Sequence, residues 1–452
     1  MHQIYAEQAL LPRGWADGVC ITVAEDGIIQ DVASSVDAHG ETVAGPLLPG
    51  LPNLHSHAFQ RALAGLTEKS TDPEDSFWTW RELMYRTVAR LDPEQVEAIA
   101  RWLYIEMLKN GYTAVAEFHY LHHQPDGRPY ANPTEMAERI VAAADAAGIG
   151  LTLLPVYYAQ GGFGGRPPSE QQRRFIHDEA NYLKLLQTLE AHHGTSALTR
   201  LGVAFHSLRA VTPQAMARIL DAVDPGMPVH IHIAEQQREV DDCLAWSGQR
   251  PITWLYEHQA VSERWCLVHA THAGHEELHR MAESNVVVGL CPTTEANLGD
   301  GIFPAEPFVR AHGHLGVGSD SHVSVSPVEE LRWLEYGQRL LSERRNRLAS
   351  WGESVGMALY QSALEGGARA LGQPVGAIAP GYRADLLVLD GEHPLLASAA
   401  DKALDRWLFA GSETMVRDVM VAGRWLVRER HHPGEQAAAA AFLAALRGLQ
   451  ED

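Results

Sequence analysis

The chain has 452 residues, 46% of them hydrophobic and 21% charged, which is the composition of a soluble globular protein with material for a large core. Its formal net charge of −21 repels phosphate backbones and anionic lipid, so roles on nucleic acid or on a membrane surface are excluded. A small anionic substrate is not excluded, because a few local arginines override a global field.

Residues 1–45 read as short strands. Apolar runs at 19–23 and 28–32 flank Glu25-Asp26-Gly27, and an Asp-Gly step between such runs is a hairpin signal. From 46 to 370 the pattern changes to short apolar runs alternating with longer helical stretches. The runs lie at 47–54, 114–116, 151–157, 201–205, 229–233, 266–268, 286–290 and 315–317, with helical segments such as 93–109, 134–147, 178–192 and 213–222. Eight strands separated by helices predict a closed parallel (β/α)8 barrel. Strands return at 384–389, 416–422 and 424–427, the last two joined by a turn at Ala422-Gly423, and an apolar run at 437–446 reads as a C-terminal helix. The fold class expected is therefore α/β. A barrel occupies 46–370, and a small β-sandwich domain is built from both chain ends, 1–45 and 371–452.

Four cysteines, Cys20, Cys243, Cys266 and Cys291, are widely separated and form no CxxC pair, which points to a reducing compartment. The first residues lack the basic start and apolar core of a secretion signal. The longest apolar run is shorter than the roughly 20 residues of a membrane span. The expected location is cytoplasmic.

Polar groups gather at the C-terminal ends of the predicted strands, the face where barrel enzymes build their sites. The first strand ends in Leu54-His55-Ser56-His57, and two residues apart on an extended chain the imidazoles share one side. The fifth ends in His230-Ile231-His232-Ile233-Ala234-Glu235, the sixth in His269, and the eighth in Gly318-Ser319-Asp320. Each has an ordinary reading on its own: polar loop residues, a core histidine, a helix N-cap at Asp320. Together, at one end of four strands, they point to a metal. Imidazole and carboxylate suit a borderline divalent ion with an open position for water. Such an ion lowers the pKa of its water towards about 7, and a nearby carboxylate moves protons to a leaving group.

These segments, with Leu48-Pro49-Gly50-Leu51-Pro52-Asn53, Leu267-Val268-His269 and Pro380-Gly381-Tyr382-Arg383-Ala384-Asp385-Leu386, resemble the amidohydrolase superfamily over essentially the whole chain. The resemblance implies His55, His57, His232 and Asp320 as metal ligands. Some members hold two metals bridged by a carbamylated lysine on the fourth strand. Here that strand reads Gly202-Val203-Ala204-Phe205-His206-Ser207, and none of Lys69, Lys109, Lys184 and Lys402 lies at a strand end that could supply the bridge. One divalent metal per subunit follows, with zinc chosen from the ligand type. In the mononuclear deaminase branch Glu235 is the proton shuttle, His269 polarises or orients the attacking water, and Asp320 also accepts its proton. The unrelated cytidine-type zinc deaminases are excluded, because Cys291-Pro292 does not supply their Pro-Cys-x-x-Cys segment.

Wider stretches are similar to the N-formimidoyl-L-glutamate deiminase family of histidine degradation. They are His55-Ser56-His57-Ala58-Phe59-Gln60-Arg61, Ala116-Glu117-Phe118-His119-Tyr120, His206-Ser207-Leu208-Arg209, His232-Ile233-Ala234-Glu235-Gln236, Cys291-Pro292-Thr293-Thr294-Glu295 and Ser319-Asp320-Ser321-His322. This resemblance implies attack of metal-activated hydroxide on the formimidoyl C=N carbon, loss of ammonia and release of N-formyl-L-glutamate. Forked guanidiniums suit a dicarboxylate substrate. By the same resemblance Arg81, in an aromatic-rich helix after the first strand, and Arg209, after the fourth, bind carboxylates. Gln60, Tyr120 and His206 complete the substrate contacts, and a homodimer is implied. Two alternatives remain. One is a related mononuclear deaminase acting on a nucleobase, an S-adenosylhomocysteine-like compound or a triazine, for which a neutral aromatic pocket is expected. The other is a barrel that has lost catalysis. The His119, His122, His123 group is read as a polar loop rather than a second metal site.

Overall fold

The computed structural model describes residues 2–69 and 76–450. Eight parallel strands form the barrel in chain order: Leu51–Ser56, Tyr112–His119, Gly150–Tyr157, Val203–Ser207, Val229–Ile233, Trp265–His269, Val287–Leu290 and His314–Val317. The first seven are buried along their whole length apart from a half-buried His206. Inward side chains fill the barrel while outward ones lie under helices, so the strands read as continuous apolar runs rather than alternating ones. The ring closes where Ser56 pairs in parallel with Asp320. There the Asp320 amide donates to the His55 carbonyl at 3.0 Å, and the His57 amide to the Asp320 carbonyl at 3.1 Å.

Local chemistry sets the helices between the strands. Asp92 caps Pro93–Asn110 reciprocally with Gln95, Pro93 opens the helix, and Gly111 ends it at φ 104°; this left-handed turn suits glycine. Thr212 caps Pro213–Ala222 with a single bond, its side chain accepting from the Ala215 amide. Two helices the sequence reading did not single out, Pro327–Ser342 and Val355–Leu371, complete the outer layer. In the second, a Cβ at Gly366 would collide with the Leu315 carbonyl, and one at Gly367 would lie 2.9 Å from Pro52. The helix backbone therefore rests directly on the first and eighth strands.

Two boundaries differ from the sequence reading: the run 201–205 straddles the strands Thr199–Leu201 and Val203–Ser207, and a second difference bears on the architecture. The run 47–54 is not a single strand. Leu47–Pro49 belongs to the small sheet, between His2–Leu11 and Leu386–Leu389, and the barrel strand begins at Leu51. Both halves are buried, so hydrophobicity carries no break; Gly50, whose amide donates to the Asp385 carbonyl at 2.9 Å, makes the change of sheet. The small sheet runs in the order Arg424–Val427, Val416–Val421, Leu386–Leu389, Leu47–Pro49, His2–Leu11, Gly14–Val23, Ile29–Ala33, with an apolar core of its own around Ile4, Val19, Ile21, Leu47, Leu386 and Met420. It lies against the N-terminal ends of the barrel strands. A Cβ on Gly111, just before the second strand, would touch Leu387, and one on Gly148, just before the third, would touch Leu426. The opposite end of the barrel is left for the site.

Candidate metal and substrate site

At the C-terminal ends of strands one, five and eight, four groups converge. His55 Nε2 lies 3.2 Å from His57 Nε2 and 3.0 Å from His232 Nε2. Asp320 Oδ1 is 3.5 Å from His55 Nε2 and 3.3 Å from His57 Nε2. Ligand atoms about 2.0–2.1 Å from a tetrahedral ion stand about 3.3 Å apart, so the spacing fits one cation. The tautomers fit as well. His57 Nδ1–H donates to the Phe118 carbonyl at 2.9 Å and His232 Nδ1–H to the His206 carbonyl at 3.0 Å, leaving both Nε2 lone pairs facing inward. His55 Nδ1 is buried without a partner, so no hydrogen bond holds its proton there, and a cation between the three Nε2 atoms would satisfy all of them at once. Burial lowers the pKa of all three imidazoles, that of His57 to about 3, so they present as neutral ligands with no proton to shed.

Beside this cluster His269 Nε2 stands 3.8 Å from Glu235 Oε1 and 3.9 Å from Asp320 Oδ2. Its Nδ1–H donates to Glu295 at 3.2 Å, and Glu295 also accepts from the Cys291 amide at 2.9 Å. Burial alone would lower the His269 pKa, but Glu235, Glu295 and Asp320 together raise it to about 10. Burial pushes Asp320 up to about 7, with His269 opposing and Glu235 and Glu295 adding to the rise. The strand ends carry strain here. Ala234, His269, Ala270, Asp320 and His322 all have φ between 46° and 68°, the left-handed region where a Cβ costs energy and which clusters at functional sites.

Behind the ligands runs a one-way chain of hydrogen bonds. Asn53 Nδ2 donates to Ser319 Oγ at 2.6 Å, Ser319 Oγ to His322 Nδ1 at 3.0 Å, His322 Nε2 to Ser56 Oγ at 3.1 Å, and Ser56 Oγ to Glu117 at 2.5 Å. Glu117 also accepts from the Ala58 amide at 2.7 Å and Tyr104 at 3.1 Å. Burial raises its pKa to about 7 despite these donors. Glu117, Ser319, His322 and Glu295 were given no role by the sequence reading. The available signal was weak: Ser56, between the two histidines, faces the other side of the strand by the twofold alternation.

A cavity opens on the cluster, lined by His57, His232, Glu235, His269 and Asp320 and by all five expected substrate contacts, Gln60, Arg81, Tyr120, His206 and Arg209. Gln60 Nε2 donates to the Tyr120 hydroxyl at 2.9 Å, while Gln60 Oε1 is buried without a partner. Tyr120 packs edge-on to the His57 ring at 5.0 Å. Burial, then Arg209, His57 and Arg81, lower the His206 pKa, so its ring is neutral between the arginines and the metal cluster. Arg209 Nη2 is 3.9 Å from the buried Glu239, and the Nε atoms of Arg81 and Arg209 are buried without partners. Phe77, Trp80, Tyr85, Tyr158 and Phe175 supply the aromatic walls.

Two other histidine groups have structural roles. His122 and His123 hydrogen-bond the Val156 and Ile176 carbonyls at 3.1 and 2.8 Å and pack on His177. Glu138 gives one carboxylate oxygen each to His192 and His193, at 2.8 and 2.7 Å.

Comparison with known proteins places this geometry. Residues 47–426 match the Amidohydrolase family, and residues 1–42 match the N-terminal domain of formimidoylglutamate deiminase HutF. The chain is 62% identical over 452 residues to a formimidoylglutamate deiminase of Pseudomonas aeruginosa, covering 99% of this chain and 100% of that protein. It is 30% identical over 407 residues to an 8-oxoguanine deaminase of the same organism, covering 88% of this chain and 85% of that protein. The crystal structure of an amidohydrolase from Brucella melitensis aligns with TM-score 0.94 and 48% identity, covering 100% of each chain. With the barrel, the converging histidines and this extent of likeness together, the chain belongs to the amidohydrolase family, among its formimidoylglutamate deiminases.

Proposed function

We propose that the chain hydrolyses N-formimidoyl-L-glutamate to N-formyl-L-glutamate and ammonia. The observation that carries this reading is the 62% identity along the whole length of a formimidoylglutamate deiminase. The cavity agrees with it chemically. A substrate with two carboxylates needs two forked cations, and Arg81 and Arg209 line the cavity with donor atoms to spare. The aromatic walls would also suit a nucleobase, but two arginines have no counterpart on a neutral base.

His55, His57, His232 and Asp320 hold one divalent ion, and their donor types favour zinc. Bound there, the ion acts as a Lewis acid that eases deprotonation of water. The protein groups carry the protons. Glu235 takes one from the attacking water and returns it to the nitrogen that leaves as ammonia. Asp320 accepts the second proton, and His269, braced by Glu295, orients the water. Gln60 Oε1 accepts the N–H of the formimidoyl group. Tyr120, whose oxygen already accepts from Gln60, has its own proton to donate to the substrate, and His206 adds a neutral contact. The four cysteines are buried and free, in keeping with a reducing cytoplasm, and among the described residues no helix is long and apolar enough to cross a membrane. A homodimer is the state we assign from the family resemblance.

The test is ammonia release from formimidoylglutamate beside a set of purines. Turnover of the former alone is expected, and Arg81→Met and Arg209→Met should each lower kcat/KM by about 10- to 100-fold, the worth of a hydrogen bond to a charged group. Unchanged turnover in both variants would remove the substrate assignment.

A further inference from the structure

Trp78 lies in the helix Phe77–Val88, which covers the cavity. Its neighbours Phe77, Trp80 and Arg81 line the cavity, while Trp78 is not among the lining residues. Its indole instead meets three guanidiniums from three elements. Arg81 of the same helix stands 4.6 Å from the ring centroid, Arg238 of the helix Gln237–Ser247 also 4.6 Å, and Arg209, in the turn after the fourth barrel strand, 5.9 Å. Three like charges around one point repel. Glu239, 3.9 Å from Arg209, and Asp242, 3.9 Å from Arg238, offset part of that repulsion, and the negative face of the indole, the strongest aromatic partner for a cation, adds an attraction common to all three.

The covering helix is held differently at its two ends. At its C-terminal end the buried Arg174 donates to the Val88 carbonyl and, at 2.8 Å, to the Leu91 carbonyl. Such contacts satisfy a helix end and favour its dipole. Towards the N-terminal end, where Arg81 sits, Trp78 provides a contact to the turn after strand four and to the helix after strand five. The helix should therefore survive loss of the indole while the placement of its arginine does not.

We propose that Trp78 is a positioning residue for the substrate's carboxylates. From outside the cavity its indole latches the covering helix onto the elements that follow strands four and five. It thereby keeps Arg81 and Arg209 side by side at the cavity wall. The inference rests on the dicarboxylate reading above and adds a residue that does not touch the substrate.

Steady-state kinetics of Trp78→Leu, Trp78→Phe, Arg81→Met and the double variant Trp78→Leu/Arg81→Met test it, each on metal-loaded enzyme with metal content measured. Trp78→Leu should raise KM for formimidoylglutamate about tenfold and leave kcat within about threefold, because cation–π contacts are worth that much at partly desolvated sites. Trp78→Phe should recover part of the loss. In the Arg81→Met background Trp78→Leu should lose the part of its effect that runs through the placement of Arg81 and keep only the part exerted through Arg209. A KM within twofold of the parent in Trp78→Leu, or effects that simply add in the double variant, would overturn the latch. If Arg81→Met itself leaves KM unchanged, the carboxylate reading fails rather than the latch alone.

Discussion

His269 shows how firmly a single side chain can be held. One ring nitrogen is tied to Glu295 at 3.2 Å, and the other faces Glu235 at 3.8 Å and Asp320 at 3.9 Å, so the ring cannot turn away without breaking a buried hydrogen bond. Glu235 is 6% exposed, so bulk water is largely kept from the carboxylate proposed as the proton shuttle. Glu235→Gln keeps the shape and removes the base. We expect kcat to fall by about 10²- to 10⁴-fold with metal content unchanged by elemental analysis. Loss of metal together with activity would instead make Glu235 a ligand. Alternation along a strand put His55 and His57 on one side, and the ends of strands five and eight brought His232 and Asp320 to the same face, but the set of four was legible only through the family resemblance. The supporting groups were less so. Glu117 stands on the second strand, His322 in the loop after the eighth and Glu295 in the helix Pro292–Leu298, and hydrogen bonds between distant segments leave no mark in local spacing.

Among elements, the seam between the first and eighth strands is the most constrained. A Cβ on Gly318 would lie 2.7 Å from the His55 amide nitrogen and 2.8 Å from both its Cβ and its carbonyl oxygen. All three are atoms of the ligand-bearing strand that cannot swing aside. Gly318→Ala should therefore push His55 outward, lowering bound metal and costing about 1–3 kcal/mol of stability. Urea unfolding together with a metal count checks it, and a variant with full metal and parental stability would show that the seam yields. All eight barrel strands could be read from the chain as apolar runs, because full burial on both faces forces such runs. The error at 47–54 has the same origin. A strand that leaves one buried sheet for another at Gly50 stays apolar throughout, so only the glycine marks the crossing.

For the whole molecule, the small sheet and the barrel share a buried ion pair. Arg383 Nε and Nη2 reach the two oxygens of Asp385 at 2.9 and 2.7 Å, while Nη1 reaches Gln373 at 2.7 Å. Gln373 donates in turn to the Leu151 carbonyl and to Thr152 at the start of the third barrel strand, and Asp385 accepts from the Ala422 amide at 3.0 Å. Removing one member of such a pair leaves a buried charge unpaired. Arg383→Met should cost about 3–5 kcal/mol in unfolding free energy while KM of the folded enzyme stays at the parental value, because the site is at the other end of the barrel. A changed KM would mean that the sheet is coupled to the site. That both chain ends build one sheet was suggested by their strand-like patterns, but the pairing of Leu47–Pro49 with both partners was not, since pairing across hundreds of residues has no local signature.

The same pairing has a consequence during synthesis. Leu47–Pro49 gains its second neighbour, Leu386–Leu389, only after residues 50–385 have been made. At about 5–20 residues per second the nascent chain spends roughly 20 to 70 s with that strand edge open. An open apolar edge is a template for pairing with other chains, so how fast the ribosome delivers the last strands bears on how much of the protein avoids aggregation.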